Sequence, residues 1–463
     1  MVDPLISAIR VAGLFGLYSY SLPESGALSN ATILYGDNGV GKSTVLRLAF
    51  HLLSAANNRG HRTALFDSYF SRLEVDLFNG VKLVATRNIV SESAGDGVAD
   101  KLSLGIMFDG KYLAFWDHSP KGHSSESALG MNFDFEVVDD RIVSVPRKKI
   151  KLPVPIELYG EEVYMRVLSS VIPTTFLLSA DRRLDSDSVS DPSDEVELRR
   201  LMRYEEPVRM HDLVVRTRQV ALSQAVSSAA RWISKKAVRS ANQGSENVHN
   251  AYSQVLKHLV STRSKTEEAI DTDALIRNLT DIEVKTVSLN KYEFATPLQV
   301  QDFKRALSSR SLPKRTMAAG FIKPYVDSVL GRLAAVESIY NLVDKFVMTV
   351  NDLLSDKKIS YKVSQGFSVH NSRGASLEWS ALSSGEQQLL LLFCYVLTGR
   401  DKPCVFMIDE PEISLNVKWQ RQLIKSLLEI TKGAEIQFIF ASHSIELLAQ
   451  HRDRVVKLVN SND

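Results

Sequence analysis

Ala31-Thr-Ile-Leu-Tyr35 runs into Gly36-Asp-Asn-Gly-Val-Gly-Lys42-Ser43, and far downstream Leu382-Ser-Ser-Gly-Glu-Gln-Gln388 opens an apolar run. The first stretch reads as a short buried strand, a glycine-rich loop of the form G-x-x-x-x-G-K-[ST], and a helix with Val45, Leu46, Leu48, Ala49 and Leu52 on its apolar side. Loop amides and a helix N-terminus can cradle phosphate oxygens, so Asp37, Asn38, Gly39, Val40, Gly41, Lys42, Ser43 and Thr44 are candidate ATP-binding residues. Lys42 is expected at the β- and γ-phosphates and Ser43 on Mg2+. A phosphate loop alone indicates a nucleotide. With the second stretch it indicates a nucleotide held between two copies of the chain. There Ser383, Ser384, Gly385 and Glu386 begin a helix whose first-turn amides suit a γ-phosphate. Serine is also a common helix N-cap, and as a single motif that reading would win. In one chain this helix start is expected to point away from its own loop and to act across a dimer.

Two further segments carry chemistry. Val405-Phe-Met-Ile408 is a buried strand that ends in Asp409-Glu410. Asp409 is expected to hold Mg2+ through water, and Glu410 to polarise the attacking water as general base. Gln437-Phe-Ile-Phe-Ala441 is a second buried strand, and His443 follows it, where a γ-phosphate sensor is expected. Lys42, Glu410 and His443 are therefore the candidate catalytic residues, and Ser43 and Asp409 the candidate metal ligands.

The bulk properties restrict the rest. The 463 residues exceed one compact domain. A formal charge of +2 selects no acidic or basic partner. No run of apolar residues is long enough to span a membrane, and the N-terminus lacks a signal-peptide pattern. Cys394 and Cys404, in apolar segments, are expected as reduced core residues of a cytoplasmic protein.

Along the chain, Ile6 to Leu22 reads as strand, turn and strand. Hairpins are expected at Asn79-Gly80 and Asp109-Gly110. Residues 184–194 read as a polar, exposed linker. A mainly helical segment follows, broken near Pro313 and clearest from Ser338 to Leu354. From Lys358 the strand and helix pattern resumes. The expected domains are 1–183, with the phosphate loop; 184–354, a helical insertion; and 355–463, with the signature, the carboxylate pair and His443.

These motifs resemble the ABC-type ATPase heads of the Rad50, RecF and OLD families. Leu382–Gln388 and Ile408-Asp-Glu-Pro-Glu-Ile-Ser-Leu415 are similar to the OLD-like branch. The resemblance covers residues 1–180 and 355–463. It implies an α/β fold: an ABC-type P-loop NTPase head, with a β-rich lobe and a mixed or parallel core sheet, interrupted by a helical insertion domain. The opening Gly13-Leu-Phe-Gly-Leu-Tyr-Ser-Tyr20 and Tyr35-Gly-Asp-Asn-Gly resemble ATPase subunits of bacterial anti-phage systems, the PARIS type (AriA) ahead of the Septu type (PtuA). That likeness implies a regulatory ATPase that forms ATP-linked dimers and higher homo-oligomers. It also implies a phage-encoded trigger protein and a separately encoded nuclease effector, Toprim-type ahead of HNH. The chain ends soon after His443 without a further carboxylate cluster, so the nuclease is expected on another polypeptide. Asn416 departs from the histidine of many relatives, and Ser384 and Glu386 replace the Gly and Gln of transporter domains.

Arg199, Arg200, Arg203, Arg209, Arg216, Arg218, Arg231, Lys235, Lys236 and Arg239 form a basic stripe. It could hold nucleic acid or an acidic protein, or be the solvated face of helices. A clamp on DNA of the RecF or Rad50 kind is therefore the alternative reading. Ser179-Ala-Asp-Arg182-Arg183 is either a phosphate-side or dimer-contact element or a surface loop.

Overall fold

The structure, a computed structural model, describes residues 5–57, 59–88, 101–119, 133–138, 141–146, 155–180, 184–186, 219–240, 253, 271–412 and 417–461. The chain divides into two compact units: residues 1–208 with 399–463, and residues 209–398.

The first unit is built on two six-stranded sheets. One is antiparallel, in the order Tyr18–Leu22, Ile6–Leu14, Arg72–Leu77, Val81–Asn88, Lys101–Phe108, Lys111–His118. Two of its tight turns fall at Asn79-Gly80 and Asp109-Gly110, where both glycines and Asp109 take positive φ, as hairpin turns require. The other sheet runs Leu184–Ser186, Thr174–Leu178, Cys404–Asp409, Ile436–Ala441, Ala31–Tyr35, Val455–Lys457. All its pairings are parallel except that of Leu184–Ser186 with Thr174–Leu178. Its central strands are buried at every position, which explains their uninterrupted apolar sequences.

One core spans both sheets. Ile9, Val11, Leu73 and Leu83 come from the antiparallel sheet, Val405 and Ile439 from the parallel one, and Leu46, Ala49 and Phe50 from the helix Lys42–Leu53 between them. A buried glutamine also joins the sheets. Gln437 Oε1 accepts from the amides of Leu5 (3.0 Å) and Ile6 (2.7 Å), and its Nε2 donates to Ile6 O (2.9 Å) and Ser29 O (3.0 Å). Every polar atom of this side chain is satisfied, so its burial carries no desolvation penalty left open. On the other face, Phe176 stacks on Phe406 with ring centroids 4.5 Å apart, and Phe406 and Phe438 continue the row at 5.7 Å.

The second unit is organised by the helix Leu312–Leu353, which the helices Thr272–Leu289 and Gln301–Leu307 flank. Pro313 sits in its first turn, where a missing N–H costs nothing, so the expected break is this helix's start. The helix is longer than the Ser338–Leu354 stretch read from the sequence, and Pro324 lies inside it. Three strands, Lys357–Lys362, Gly366–Asn371 and Ser376–Leu377, make an antiparallel sheet. Asn351 ties the helix end to it: Ile359 N donates to Asn351 Oδ1 at 2.7 Å and Asn351 Nδ2 donates to Ile359 O at 3.0 Å. The helix Ser384–Thr398 also belongs to this unit and buries nearly every side chain from Glu386 to Leu397.

One expectation is corrected. Leu184–Ser186, read as the start of an exposed linker, adds a strand to the core sheet, and Ser186 is buried. Backbone pairing overrides the polar composition there. Residues 187–194 lie outside the described residues, as do Arg199, Arg200, Arg203, Arg209, Arg216 and Arg218 of the basic stripe, Asn416 and 181–183. Arg231, Lys235, Lys236 and Arg239 fall on a helix over 219–240. Among the described residues no helix is long and apolar enough to cross a membrane. Cys394 and Cys404 are buried free thiols, and burial pushes both well above the usual thiol range.

Candidate nucleotide site

Parallel register brings three strand ends side by side. Asp409 lies opposite Ala441, and Ala441 opposite Leu34. The phosphate loop, the carboxylate pair and His443 therefore leave the same carboxyl edge of the sheet, where α/β proteins place their ligands.

The loop needs its glycines. Gly39 and Gly41 take φ of 87° and 92°, in the left-handed region that costs other residues energy. A Cβ on Gly41 would also lie 2.8 Å from Leu14 Cδ2 and 3.3 Å from the Phe15 ring. The Tyr20 hydroxyl donates to Val40 O at 2.8 Å and anchors the loop to the antiparallel sheet. Gly41 caps the helix Lys42–Leu53, whose first turn carries no acidic residue and no capping side chain. Its leading amides are therefore not taken up by a capping side chain and suit an anion. Asp37, Asn38 and Gly39 are exposed at the tip, and Val40, Gly41, Ser43 and Thr44 are half-buried.

Lys42 is 7% exposed, and its ammonium donates to Gly36 O (2.7 Å) and Asp37 O (2.9 Å). The charge is thereby held against the inside of the loop. Ser43 Oγ donates to Asp409 Oδ1 at 2.7 Å, across the gap between two strand ends. Burial pushes the Asp409 carboxyl above the usual range, and the Ser43 hydrogen bond works against that shift. A buried carboxylate and a hydroxyl at one point are hard oxygen donors that suit Mg2+. Among the described residues no group of three His, Cys, Asp or Glu could hold a metal alone.

Glu410 adopts φ of 47°, a strained conformation for a residue with a side chain, fixed by its amide donating to Ala441 O at 2.8 Å. The turn swings its carboxylate off the strand axis toward the imidazole of His443, whose Nδ1 lies 3.7 Å from Glu410 Oε1. The same Nδ1 lies 3.3 Å from Glu412 Oε1. Glu412 went unnoticed as a site residue in the sequence. It sits two positions beyond Glu410 with no periodicity to mark it, and its partners are some thirty residues away.

The structure thus gathers Lys42, Ser43, Asp409, Glu410 and His443 in the first unit. Ser383, Ser384, Gly385 and Glu386 belong to the second. Ser383 and Ser384 are exposed, while Gly385 and Glu386 are buried. Ser383 N donates to Glu386 Oε2 at 2.6 Å and Glu386 N donates to Ser383 Oγ at 3.4 Å, a reciprocal capping box. Lys357 Nζ adds a hydrogen bond of 3.1 Å to Glu386 Oε2. The Glu386 side chain is thus taken up in fixing the helix start. The exposed groups there are the Ser383 and Ser384 side chains. Ser179 continues the strand Thr174–Leu178, whose Leu178 pairs with Ile408 at the same sheet edge.

A protein family described as "AAA domain, putative AbiEii toxin, Type IV TA system" matches residues 256–449. The lipoprotein-releasing system ATP-binding protein LolD of Ruegeria pomeroyi is 37% identical over 79 residues, 17% of this chain and 33% of LolD. The molybdenum import ATP-binding protein ModC of Escherichia coli is 32% identical over 80 residues, 17% of this chain and 22% of ModC. The chain therefore spans a third or less of the length of these relatives. The Smc head domain of Pyrococcus furiosus, solved with an extended coiled coil and bound to the C-terminal domain of ScpA, aligns over 98% of this chain and 96% of its own, at 13% identity and a TM-score of 0.35. That of Pyrococcus yayanosii aligns over 99% and 97% at the same identity and score. Such scores carry no weight for the assignment, which stands on topology and motif order. A phosphate loop leaving a central parallel strand, a carboxylate pair ending a strand of the same sheet, and an antiparallel sheet sharing their core make this the α/β fold of an ABC-type P-loop NTPase head.

Proposed function

We propose that this chain binds and hydrolyses ATP with Mg2+, and that Ser383–Glu386 complete the site of a second copy. The observation that carries the reading is the convergence of Lys42, the Ser43–Asp409 pair, Glu410 and His443 on one sheet edge. Loop amides and Lys42 bind the phosphates. Ser43 and Asp409 would hold Mg2+, which when bound neutralises phosphate charge. Glu410 orients a water in line with the γ-phosphorus and takes its proton at a carboxylate oxygen. The new P–O bond forms as the bond to the ADP oxygen breaks. His443, beside Glu410, supplies a donor for the γ-phosphate. The exposed Ser383 hydroxyl and the amides of the helix Ser384–Thr398 act on a γ-phosphate held by the partner copy, so ATP links subunits.

We further propose that this ATP-linked assembly is a regulatory subunit of an anti-phage system, which senses a phage-encoded trigger and holds or releases a separately encoded nuclease. Support comes from the likeness of Leu382–Gln388 and Ile408–Leu415 to OLD-like heads, and from a matching family whose description names a type IV TA system. A second reading, a DNA clamp, is favoured by one observation. Arg231, Lys235 and Arg239 are exposed and recur every fourth residue along the helix over 219–240, so they share a face. Duplex affinity that rises with ATP and falls steeply with salt would select it over the first.

Glu410→Gln tests the enzymatic core. It should keep ATP binding, lower turnover by about 10²–10⁴-fold and accumulate ATP-bound oligomers. Normal turnover in that variant removes Glu410 from its assigned role. Phage challenge of cells carrying the native locus, against cells in which this chain bears Lys42→Ala, tests the defensive role: protection should vanish with the substitution.

A further inference from the structure

Glu412 is 7% exposed, lies beyond the pair of carboxylates in the sequence order Asp409-Glu410-Pro411-Glu412, and has no part in the reaction above. The hydrogen bonds of its side chain run to one short loop. Oε1 accepts from Ser442 Oγ (2.8 Å), His443 N (3.0 Å) and Ser444 N (3.2 Å), so three consecutive residues close on one oxygen. Nδ1 of His443 approaches the same oxygen at 3.3 Å.

The surroundings make this loop a rigid bracket. Ser442 is fully buried, and its amide donates to Leu34 O at 3.1 Å, at the end of the strand that feeds the phosphate loop. Ser444 N also donates to Ser442 Oγ at 3.0 Å. Ser444 Oγ donates to Gln420 Oε1 at 2.8 Å and caps the helix Ile445–Gln450. Gln420 Nε2 returns to Glu412 O at 3.4 Å. The ring of contacts joins the segment after Glu410, the helix Val417–Ile430 and the histidine loop. Glu412 Oε2 is buried and accepts no hydrogen bond among the described residues.

We propose that Glu412 is a positioning residue: by holding the backbone of residues 442–444 through one carboxylate oxygen, it sets the place of His443 relative to Glu410. The inference rests on the proposed hydrolysis, in which those two side chains act together. It assigns Glu412 no contact with nucleotide. Deleting the acceptor takes a partner from two backbone amides and a serine hydroxyl, and leaves Ser444 N with Ser442 Oγ alone. The loop then loses its fixed geometry, while the phosphate loop and Lys42 are untouched. The loss falls on turnover and spares ATP affinity.

The test uses the full chain and two readouts. In steady-state kinetics with MgATP, Glu412→Ala should lower kcat by about 10-fold or more, with KM for ATP within about 3-fold. Glu412→Gln keeps an acceptor oxygen and should restore kcat to within about 3-fold of the parent. By hydrogen exchange, Glu412→Ala should speed exchange of the His443 and Ser444 amides and leave the strand Ala31–Tyr35 unchanged. Ser442→Ala, a milder change for use if Glu412→Ala does not fold, should act in the same direction on both readouts. Unaltered exchange at 443 and 444 in these variants overturns the inference whatever the kinetics show. So does a loss of ATP affinity equal to the loss of turnover. Failure of the hydrolysis reading looks different: the parent protein itself turns over no ATP, while the exchange readout still judges Glu412.

Discussion

Replacing Ser43 with alanine removes one oxygen and leaves the phosphate loop's backbone intact, which makes its consequences separable. Ser43 Oγ donates to Asp409 Oδ1 at 2.7 Å, and Asp409 is 5% exposed. A hydrogen bond to a charged group contributes about 1.5–3 kcal/mol, so the ionised carboxylate loses roughly that much support. Burial already holds the Asp409 carboxyl above its usual range, and losing the donor raises it further. With a raised folded value, the folded state binds more protons than the unfolded one between the unfolded and folded pKa. Its penalty is then complete above the folded value and disappears below the unfolded value. Ser43→Ala should therefore destabilise the fold by about 1.5–3 kcal/mol at neutral pH, and by less as pH falls below the variant's folded value. The same oxygen is an expected Mg2+ ligand. Titration of ATP in Mg2+ and in chelator should show a Mg2+-dependent gain for the parent protein, cut by at least about 10-fold in the variant, or 1.4 kcal/mol. Urea melts at pH 7 and pH 4.5 check the stability half, and calorimetry with ATP checks the binding half. An unchanged Mg2+-dependent gain, with an unchanged melt at pH 7, would refute the pairing of Ser43 with Asp409 as a metal site.

Three further outcomes are expected. Gly41→Ala forces a side chain onto φ of 92° and against Leu14, and should cost about 1–3 kcal/mol in denaturant melts while weakening ATP binding. His51 should make the fold acid-sensitive. Burial, then the neighbouring His61 and Arg62, lower its pKa from 6.5 to about 4, and its Nδ1 shares a 3.0 Å hydrogen bond with His61 Nδ1 that needs one neutral ring. The unfolded chain takes up this proton first, so about 2–3 kcal/mol present above pH 6.5 should be lost as pH falls toward 4, and His51→Gln should flatten that window of the melting profile. Reversing Arg231, Lys235 and Arg239 to glutamate should leave ATP turnover in place. A loss of duplex binding in that variant, measured across salt, separates the DNA-clamp reading from the defensive one.

What could be read from the sequence depended on how local the cause was. The strand Ala31–Tyr35, the glycine loop and the helix Lys42–Leu53 are contiguous, and each is enforced by its own residues; the structure has them at those positions. The hairpins at Asn79-Gly80 and Asp109-Gly110 are equally local. Helix Leu312–Leu353 was legible only in its second half, because Pro324 and an irregular apolar rhythm disguise the first. Strand Leu184–Ser186 was hidden by its polar composition, since what makes it a strand is its backbone pairing with Thr174–Leu178. Ser383-x-x-Glu386 is itself a capping-box pattern, and that signal could have foretold the Glu386 side chain's place at the helix start. Glu412 left no trace in the sequence, because everything that defines it is a set of contacts to residues 442–444.

An ATP site shared between copies can be tested by mixing two inactive proteins. Lys42→Ala breaks the phosphate loop, and Ser384→Arg alters an exposed residue at the signature helix start without touching a core. Each alone should hydrolyse almost no ATP. After co-expression or subunit exchange, a mixed pair holds one site with both halves intact, and about a quarter of the parent activity should return if pairs form at random. A mixture as inactive as its parts, with mixed oligomers verified by differential tags, would contradict a site built from the phosphate loop of one copy and the signature of the other.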